Sequence, residues 1–199
     1  MPEQSKKLNL LLAIHCHQPV SNFAGIFQDA FEKAYLPFLD VFEDFSNIKI
    51  SFHYSGSLLD WLMDKHPEYI KRLKHLLEEK RIEIIGGGYF EPILSIIPER
   101  DAIGQMTMFK NRIKEVFGYE SKGIWLTERV WEPKLPKILA QAGVEFTIVD
   151  DYHFKILGMD TEKLTGYYIC EEELKSVFIF PGSERLRYML PFKLAHESI

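Results

Sequence analysis

The chain has 199 residues, of which 46% are hydrophobic and 27% are charged, and its net charge is −5. This balance is typical of one soluble globular domain. An acidic net charge without any basic block argues against a nucleic-acid partner and against an anionic-membrane partner. No apolar run reaches the roughly 18 residues of a transmembrane helix. The two cysteines, Cys16 and Cys170, have neither disulfide-framework nor zinc-site spacing, so the predicted compartment is a reducing cytoplasm.

The sequence repeats one plan: a short apolar run, a turn with polar residues or glycines, and a helical pattern. Apolar runs predict strands at 8–14, 48–53, 81–85, 123–127, 144–149, 167–169 and 176–180. Helices are predicted over 28–45 with a break near Pro37, from Ser57, from Pro67, from Pro98 to Gly118, and from Pro133 to Gly143. This alternation predicts βαβ units and a parallel sheet, and proline at the start with glycine after the end is typical of helices.

Polar residues follow the carboxyl ends of five successive predicted strands. They are His15 and His17, His53, the glycine run 86–88 with Glu91, Glu128, and Asp150 with Asp151. In open α/β sheets and in (β/α) barrels, ligands and catalytic groups gather at this edge. Independent strands that all offer polar groups at one edge therefore predict a functional site there.

His15 and His17 lie two residues apart in a predicted strand, so their side chains share one face while Cys16 points to the other. They could serve as hydrogen-bond donors or as metal ligands. The alternative is a pair of partly buried histidines with local partners. Their place at the shared edge favours a functional role.

The glycine run 86–88 does not form G-x-G-x-x-G, and no GK[ST] follows, so a nucleotide site is not indicated. Three glycines instead let a bulky ligand approach the backbone, or let the strand bend. Glu83 lies inside the preceding strand and is either a site residue or an ion-paired structural carboxylate, since a carboxylate buried alone is costly. Glu91 follows the glycines and faces either the site or solvent.

Glu128 directly follows the fourth predicted strand, with Arg129 beside it and Trp125 and Trp131 on either side. An ionised carboxylate at a strand end could act as a nucleophile, and indole rings could offer flat faces to sugars. The alternative is a structural Glu–Arg pair with two core tryptophans. Strict alternation would separate Trp125 from Glu128, so we expect the strand to end between them.

The fifth predicted strand ends in Asp150-Asp151-Tyr152-His153. One aspartate at such a place commonly caps a turn or a helix. Asp151 and His153 could instead contact a ligand.

Four motifs occur in a characteristic order: HCHQP at 15–19, EIIGGGYFEP at 83–92, WLTERVWEP at 125–133 and VDDYHF at 149–154. With these motifs the chain closely resembles the N-terminal part of family 57 glycoside hydrolases, and most of all the 4-α-glucanotransferases and α-amylases of heat-loving microbes. The resemblance implies an α/β fold, a distorted (β/α)7 barrel that is incomplete in this chain. Residues 1–199 would form the N-terminal portion of the catalytic domain, without the later helical and β-rich regions.

The resemblance also implies retaining cleavage or transfer of α-1,4-glucan linkages, with an α-glucan or malto-oligosaccharide as partner and no cofactor or metal. Glu128 would be the nucleophile, and the sugar would contact Trp125, Glu83 and His17 with help from His15. The acid/base aspartate of the family lies in a later DDGE-type motif that these 199 residues do not contain, so we expect impaired catalysis by this chain. The sequence makes no prediction of the oligomeric state.

Two other functions remain open. H-x-H after the first strand of a barrel, with further histidines and acids at later strand ends, could bind a divalent metal, as in a metal-dependent amidohydrolase or polysaccharide deacetylase. The chain could also be a non-catalytic glucan-binding protein that keeps the shape of the site without turnover.

Overall fold

The computed structural model describes residues 9–192, without the side chains of Ala24, Pro191 and Phe192. Within this range the strands are β1 (Ala13–Cys16), β2 (Ile50–Tyr54), β3 (Ile82–Ile84), β4 (Gly123–Ile124), β5 (Phe146–Asp150), β6 (Tyr168–Glu172) and β7 (Lys175–Gly182). The α-helices are α1 (Ala24–Ala30), α2 (Leu36–Glu43), α3 (Gly56–Lys65), α4 (Pro67–Glu78), α5 (Glu99–Phe117), α6 (Leu135–Gln141), α7 (Tyr152–Lys155) and α8 (Glu184–Phe192).

The strands form two sheets that a single parallel bridge connects. In the first sheet β1, β2 and β3 are parallel, and in the second β4, β5 and β7 are parallel while β6 pairs with β7 in the antiparallel sense. The bridge joins Gly86 to Ile124. Six parallel strands therefore follow one another in the order β1-β2-β3-β4-β5-β7, and the α/β prediction of a partial (β/α) barrel is confirmed.

Helix boundaries follow the proline and glycine signals of the sequence. Pro98 is the N-cap of α5, and Gly118 ends this helix with a φ of 64°, a left-handed conformation that glycine adopts at little cost. Pro67 begins α4, whose buried face consists of Tyr69, Ile70, Leu73 and Leu76. These two helices match the predicted spans.

Two apolar clusters lie behind the two sheets. The first packs β1–β3 against α1–α4 and one face of α5, and its fully buried side chains include Phe52, Tyr54, Leu58 and Phe109. The second packs β4, β5 and β7 against α6 and the start of α5, with Leu126, Leu135, Leu139 and Val149 at its centre. Each sheet thus has its own core, and the seam between the sheets runs past the glycine run.

Three predicted elements differ from the structure. The first strand covers Ala13–Cys16 rather than 8–14, because Leu10 and Leu11 remain exposed and His15 joins the ladder; residue 8 lies outside the described range. The helical stretch does not break at Pro37, which occupies the first turn of α2 after a π-helical segment, Phe31–Tyr35. The predicted strand 123–127 shortens to β4, which ends at Ile124, before Trp125, whereas the alternation argument placed its end between Trp125 and Glu128.

Among the residues that the structure describes, no helix combines the length and the apolar character that a membrane crossing would require.

Candidate active site

The site lies where the carboxyl ends of β1, β2 and β4 meet, and aromatic rings stack there. The rings of His15 and Trp125 stack with their centroids 4.7 Å apart and 9° between their planes. The centroid of His15 also lies 4.9 Å from that of His53 and 6.0 Å from that of His17. The β1–β2 register pairs His15 directly with His53, so the sheet itself holds these two imidazoles side by side.

Trp125 forms a wall of this cluster rather than an open platform. Only 9% of its surface is exposed, because His15 stacks on the indole and the guanidinium of Arg129 lies 5.5 Å from the ring centroid. A sugar would therefore meet an edge of Trp125 rather than a free face. Trp131 is half-buried and packs against the second apolar cluster, which matches the core alternative for this residue.

Glu128 lies on a tight turn immediately after β4. Thr127–Arg129 form a single 3₁₀ turn, in which the amide of Arg129 donates to the carbonyl of Leu126 at 2.8 Å. Leu126 anchors the turn in the core at 2% exposure, whereas the Glu128 side chain is exposed. Glu128 and Arg129 adopt φ values of 52° and 51°, and left-handed conformations of non-glycine residues concentrate at functional sites.

Arg129 pairs with Asp150 and not with its neighbour Glu128. Its Nε donates to Asp150 Oδ1 at 2.8 Å, and Arg187 Nη1 lies 3.6 Å from the same oxygen. Arg129 is 19% and Asp150 24% exposed in the side chain, so the pair is partly shielded from solvent. The alternative of a structural Glu128–Arg129 pair is therefore wrong among the described residues, and the Glu128 carboxylate is left without an ion pair there.

His53 and Glu91 form the buried floor of the site. His53 is completely buried, and its Nδ1 lies 2.8 Å from His15 Nδ1, a hydrogen-bond distance. Its Nε2 lies 3.2 Å from Oε1 of Glu91, whose side chain is 5% exposed. Gly87 closes the floor, since a Cβ atom there would lie 2.7 Å from His53 Nε2 and 3.2 Å from the carbonyl of Trp125. The glycine run therefore makes room for an imidazole of the protein itself.

Both hydrogen-bonded histidines are neutral near neutral pH, although His53 is completely buried and His15 is exposed. Desolvation, followed by the nearby imidazoles of His15 and His17, holds the pKa of His53 well below its usual value. Desolvation together with His17 and Arg129 lowers the pKa of His15 to about 4. Both rings therefore carry a single proton near neutral pH, and each presents one donor and one acceptor nitrogen.

Two further groups respond to the charge on Glu128. Burial, with a smaller contribution from Glu128, raises the pKa of Glu91 to about 7, although the Thr127 hydroxyl acts in the opposite direction. Burial lowers the pKa of His17, and Glu128 partly offsets this shift. The negative charge of Glu128 thus favours the protonated forms of both His17 and Glu91.

One group of side chains in the described range is compact enough to be considered for a metal. Potential ligand atoms of His15, His53 and Glu91 lie within 4.8 Å of one another. The facing Nδ1 atoms of the two histidines, however, are 2.8 Å apart, so each points its nitrogen at the other ring. This geometry fits a shared proton better than an ion held at metal–nitrogen distances of about 2.0–2.1 Å.

The other predicted site residues lie further from this cluster. Glu83 accepts a hydrogen bond from Ser51 Oγ at 2.9 Å, and Ser51 precedes His53 by two residues, roughly 7 Å along the strand. Asp151 occupies the N-cap position of α7, but its side chain makes no capping hydrogen bond. It pairs with Lys155 at 3.1 Å, and its Oδ1 is buried without a hydrogen-bond partner in the described range. His153 is half-buried on α7 beside Tyr152. Contacts of these three residues with substrate stay predictions.

The sequence analysis placed His53 and Glu91 at the shared edge but assigned neither of them a role in the site. Each follows a predicted strand at the shared edge, so position alone indicated them. The missing signal was their partnership, because His15 and His53 are separated by 38 positions and no local pattern couples them. The same holds for Asp150, whose partner Arg129 precedes it by 21 positions.

Comparison with known proteins identifies the family. The profile of glycosyl hydrolase family 57 matches residues 6–198. The chain is 43% identical over 187 residues to an α-amylase of Pyrococcus furiosus, and the match covers 94% of this chain but 29% of that protein. It is 39% identical over 194 residues to a 4-α-glucanotransferase of Thermococcus litoralis, with 98% of this chain and 29% of that protein covered.

The crystal structure of the Thermococcus litoralis 4-α-glucanotransferase superposes with a TM-score of 0.89 at 40% identity, over 94% of this chain and 30% of that one. A family 57 branching enzyme of Thermococcus kodakaraensis superposes with a TM-score of 0.72 at 18% identity, which shows a shared fold alone. The chain spans about three-tenths of the length of the curated relatives that it matches. On these matches, the chain belongs to glycosyl hydrolase family 57.

Proposed function

We propose that this chain supplies the nucleophile and part of the sugar-binding surface of an enzyme that cleaves or transfers α-1,4-glucan linkages with retention of configuration. The observation that carries the proposal is the exposed, unpaired Glu128 on a strained turn after β4, near enough to His17 for its charge to act on the pKa of that imidazole. The names of the relatives, α-amylase and 4-α-glucanotransferase, agree with a glucan substrate.

In this mechanism Glu128 attacks the anomeric carbon while the glycosidic oxygen departs, and a glycosyl ester forms on the carboxylate. Water or a sugar hydroxyl then attacks the same carbon and releases Glu128, which gives hydrolysis or transfer. His15 and His17 hydrogen-bond to sugar hydroxyls from the β1 side. The Arg129–Asp150 pair fixes the turn, so that the carboxylate does not swing away from the sugar.

A retaining reaction also needs a carboxylic acid about 5–5.5 Å from the nucleophile. Glu91 has a raised pKa, but its side chain is 5% exposed and its carboxyl faces His53, so it does not reach a departing oxygen. No DDGE motif occurs in these 199 residues. Because general acid catalysis typically contributes about 10²–10⁴-fold, the 199-residue chain should act poorly on unactivated glucans.

The test is covalent trapping with a 5-fluoro-α-glycosyl fluoride of glucose or maltose, whose leaving group needs little protonation. The proposal predicts a stoichiometric mass increase located on the peptide that carries Glu128, and its loss in Glu128→Gln. A folded chain that forms no adduct, or an adduct on another carboxylate, would contradict the proposal.

Two further measurements would distinguish the other functions. Malto-oligosaccharide binding that persists in Glu128→Gln, without any adduct in the wild type, would support a non-catalytic glucan-binding protein. One tightly bound metal per chain, detected by elemental analysis, would support a metal-dependent hydrolase.

A further inference from the structure

Side chains from three segments form a line from the floor of the site to its mouth: Glu91 and His53 have buried side chains, and His15 is exposed. Glu91 Oε1 lies 3.2 Å from His53 Nε2, and His53 Nδ1 lies 2.8 Å from His15 Nδ1. We propose that Glu91 and His53 act as positioning residues that determine which ring nitrogen of His15 carries the proton, and thereby whether His15 donates to or accepts from a sugar hydroxyl. This inference rests on the proposed function for the identity of the sugar.

The donors and acceptors of these three side chains allow two arrangements of hydrogen bonds along the line. With Glu91 protonated, its hydroxyl donates to His53 Nε2, His53 Nδ1 donates to His15 Nδ1, and His15 keeps a proton on Nε2 as a donor. With Glu91 ionised, His53 Nε2 donates to the carboxylate, His15 Nδ1 donates to His53 Nδ1, and His15 Nε2 becomes an acceptor. The first arrangement has one proton more than the second. When this proton leaves from His15 Nε2, the protons within the line shift and the negative charge appears on Glu91.

Burial couples the charge on Glu91 to the position of the proton on His53. His53 is completely buried, and neither His53 Nε2 nor Glu91 Oε1 has a well-aligned hydrogen-bond partner among the described residues. Because an unsatisfied buried polar atom costs about 1–3 kcal/mol, a small rotation that aligns these two atoms is favoured. Gly87 leaves no space for a substitute partner, since even a Cβ atom there would lie 2.7 Å from His53 Nε2.

The charged and titratable groups around the line set when the arrangement changes. Glu91 faces Glu128 and Thr127 on the turn after β4, and its pKa is raised to about 7, mainly by burial. His15 faces His17 on its own segment and Arg129 on that turn, and its pKa is lowered to about 4. When the pH passes through about 7, the carboxyl group of Glu91 changes its charge while the His15 ring stays neutral. The change at His15 is therefore a change of tautomer and not of charge.

The experiment is a pH titration of the 199-residue chain labelled with ¹⁵N-histidine, followed by long-range ¹H–¹⁵N correlation spectra of the His15 ring. As the pH rises through about 7, we expect His15 Nε2 to lose its proton and Nδ1 to gain one, so that the two ¹⁵N shifts move in opposite directions. An ordinary imidazolium deprotonation moves the shift of one nitrogen far and that of the other only slightly, whereas the tautomer change moves both far and in opposite directions. In Glu91→Gln the side chain cannot ionise, and the His15 tautomer should be the same at every pH.

Two further variants keep the test informative. Glu91→Asp retains an ionisable carboxyl and should restore the opposed movement, at a shifted midpoint. Glu128→Gln removes the proposed nucleophile and the charge that raises the Glu91 pKa, so the opposed movement should persist with a lower midpoint although covalent trapping fails. Loss of trapping would therefore contradict the proposed function, and loss of the tautomer change would contradict the role of Glu91 and His53.

Three results would overturn the inference. A His15 tautomer that does not change with pH in the wild type would do so, whether or not the variants fold. The same change in folded Glu91→Gln would also do so, because the carboxyl would then have no role. Stoichiometric binding of added Zn²⁺ that is lost in His53→Asn would show that the three side chains hold a metal instead of a proton.

Discussion

The two halves of the molecule contribute opposite kinds of groups to one site. The first sheet contributes His53, which is completely buried over a core of Phe52, Tyr54 and Phe109. The second sheet contributes Glu128, which is exposed on a turn with a left-handed backbone.

This difference separates two requirements of a catalytic surface. Groups that orient a ligand lose little by being buried, provided that each polar atom finds a partner. A nucleophile must remain accessible, and its position then depends on the backbone and on neighbouring charges. Here the Arg129–Asp150 pair and the anchor Leu126 supply that control. Substitutions on the two sides should therefore fail in different ways.

The largest effect is expected on the exposed side. Glu128→Gln removes the attacking oxygen but keeps the volume of the side chain, so trapping by the glycosyl fluoride should slow by about 10³-fold or more. The unfolding free energy should stay nearly unchanged, because the side chain is exposed. Glu132→Gln, an exposed glutamate four residues later, is the matched control and should trap like the wild type. Equal trapping rates for Glu128→Gln and Glu132→Gln would show that Glu128 is not the nucleophile.

The second prediction concerns the buried carboxyl group of Glu91, which should make the stability of the chain depend on pH. The folded pKa of Glu91 is raised from 4.5 to about 7, so the folded chain holds this proton more tightly than the unfolded chain. That stabilisation is complete below pH 4.5 and is lost as the pH rises through 7. Relative to Glu91→Gln, the unfolding free energy of the wild type should fall by up to about 3 kcal/mol over this interval.

Urea unfolding curves of both proteins at several pH values measure this difference. The lowered pKa of His15 changes stability in the opposite sense, but it is common to both proteins and cancels in the comparison. Parallel pH profiles would mean that Glu91 is no harder to ionise in the folded chain than in the unfolded chain.

A third prediction compares two adjacent glycines. Gly87→Ala places a Cβ atom 2.7 Å from His53 Nε2, so we expect a loss of about 2–3 kcal/mol in unfolding free energy, typical of overpacking. At Gly86 the nearest atoms would lie 3.6–3.7 Å away, in ordinary contact, so Gly86→Ala should change stability by less than about 1 kcal/mol. Thermal unfolding distinguishes the two, and similar losses would show that the imidazole does not set the need for glycine.

The smallest effect is expected for the ion pair that supports the turn. Asp150→Asn keeps the shape of the side chain but removes its charge, and for a partly shielded pair this should cost about 1 kcal/mol. Trapping should slow by about tenfold, since the turn that carries Glu128 loses rigidity. Glu145→Gln disrupts the exposed Lys122–Glu145 pair near the other end of β5 and should have little measurable effect. A trapping rate unchanged by Asp150→Asn would show that the turn holds without the pair.

The sequence predicted the alternation of strands and helices and the edge at which the site lies, because hydrophobic periodicity and proline and glycine positions are local signals. It placed the end of the fourth strand between Trp125 and Glu128, whereas β4 already ends at Ile124. It could not predict that Arg129 forms an ion pair with Asp150 rather than with Glu128, because this pairing depends on the left-handed backbone of the turn. The Glu91–His53–His15 line was equally hidden, since it depends on strand register across separate segments.

A crystal structure of the chain after trapping with the fluorinated maltosyl fluoride would show where the sugar is bound. We expect a covalent bond from the anomeric carbon to a carboxylate oxygen of Glu128, with sugar hydroxyls in hydrogen-bond contact with His15 and His17 and the sugar against Trp125. A sugar bound elsewhere, with the Glu128 carboxylate free and these imidazoles unliganded, would contradict this expectation.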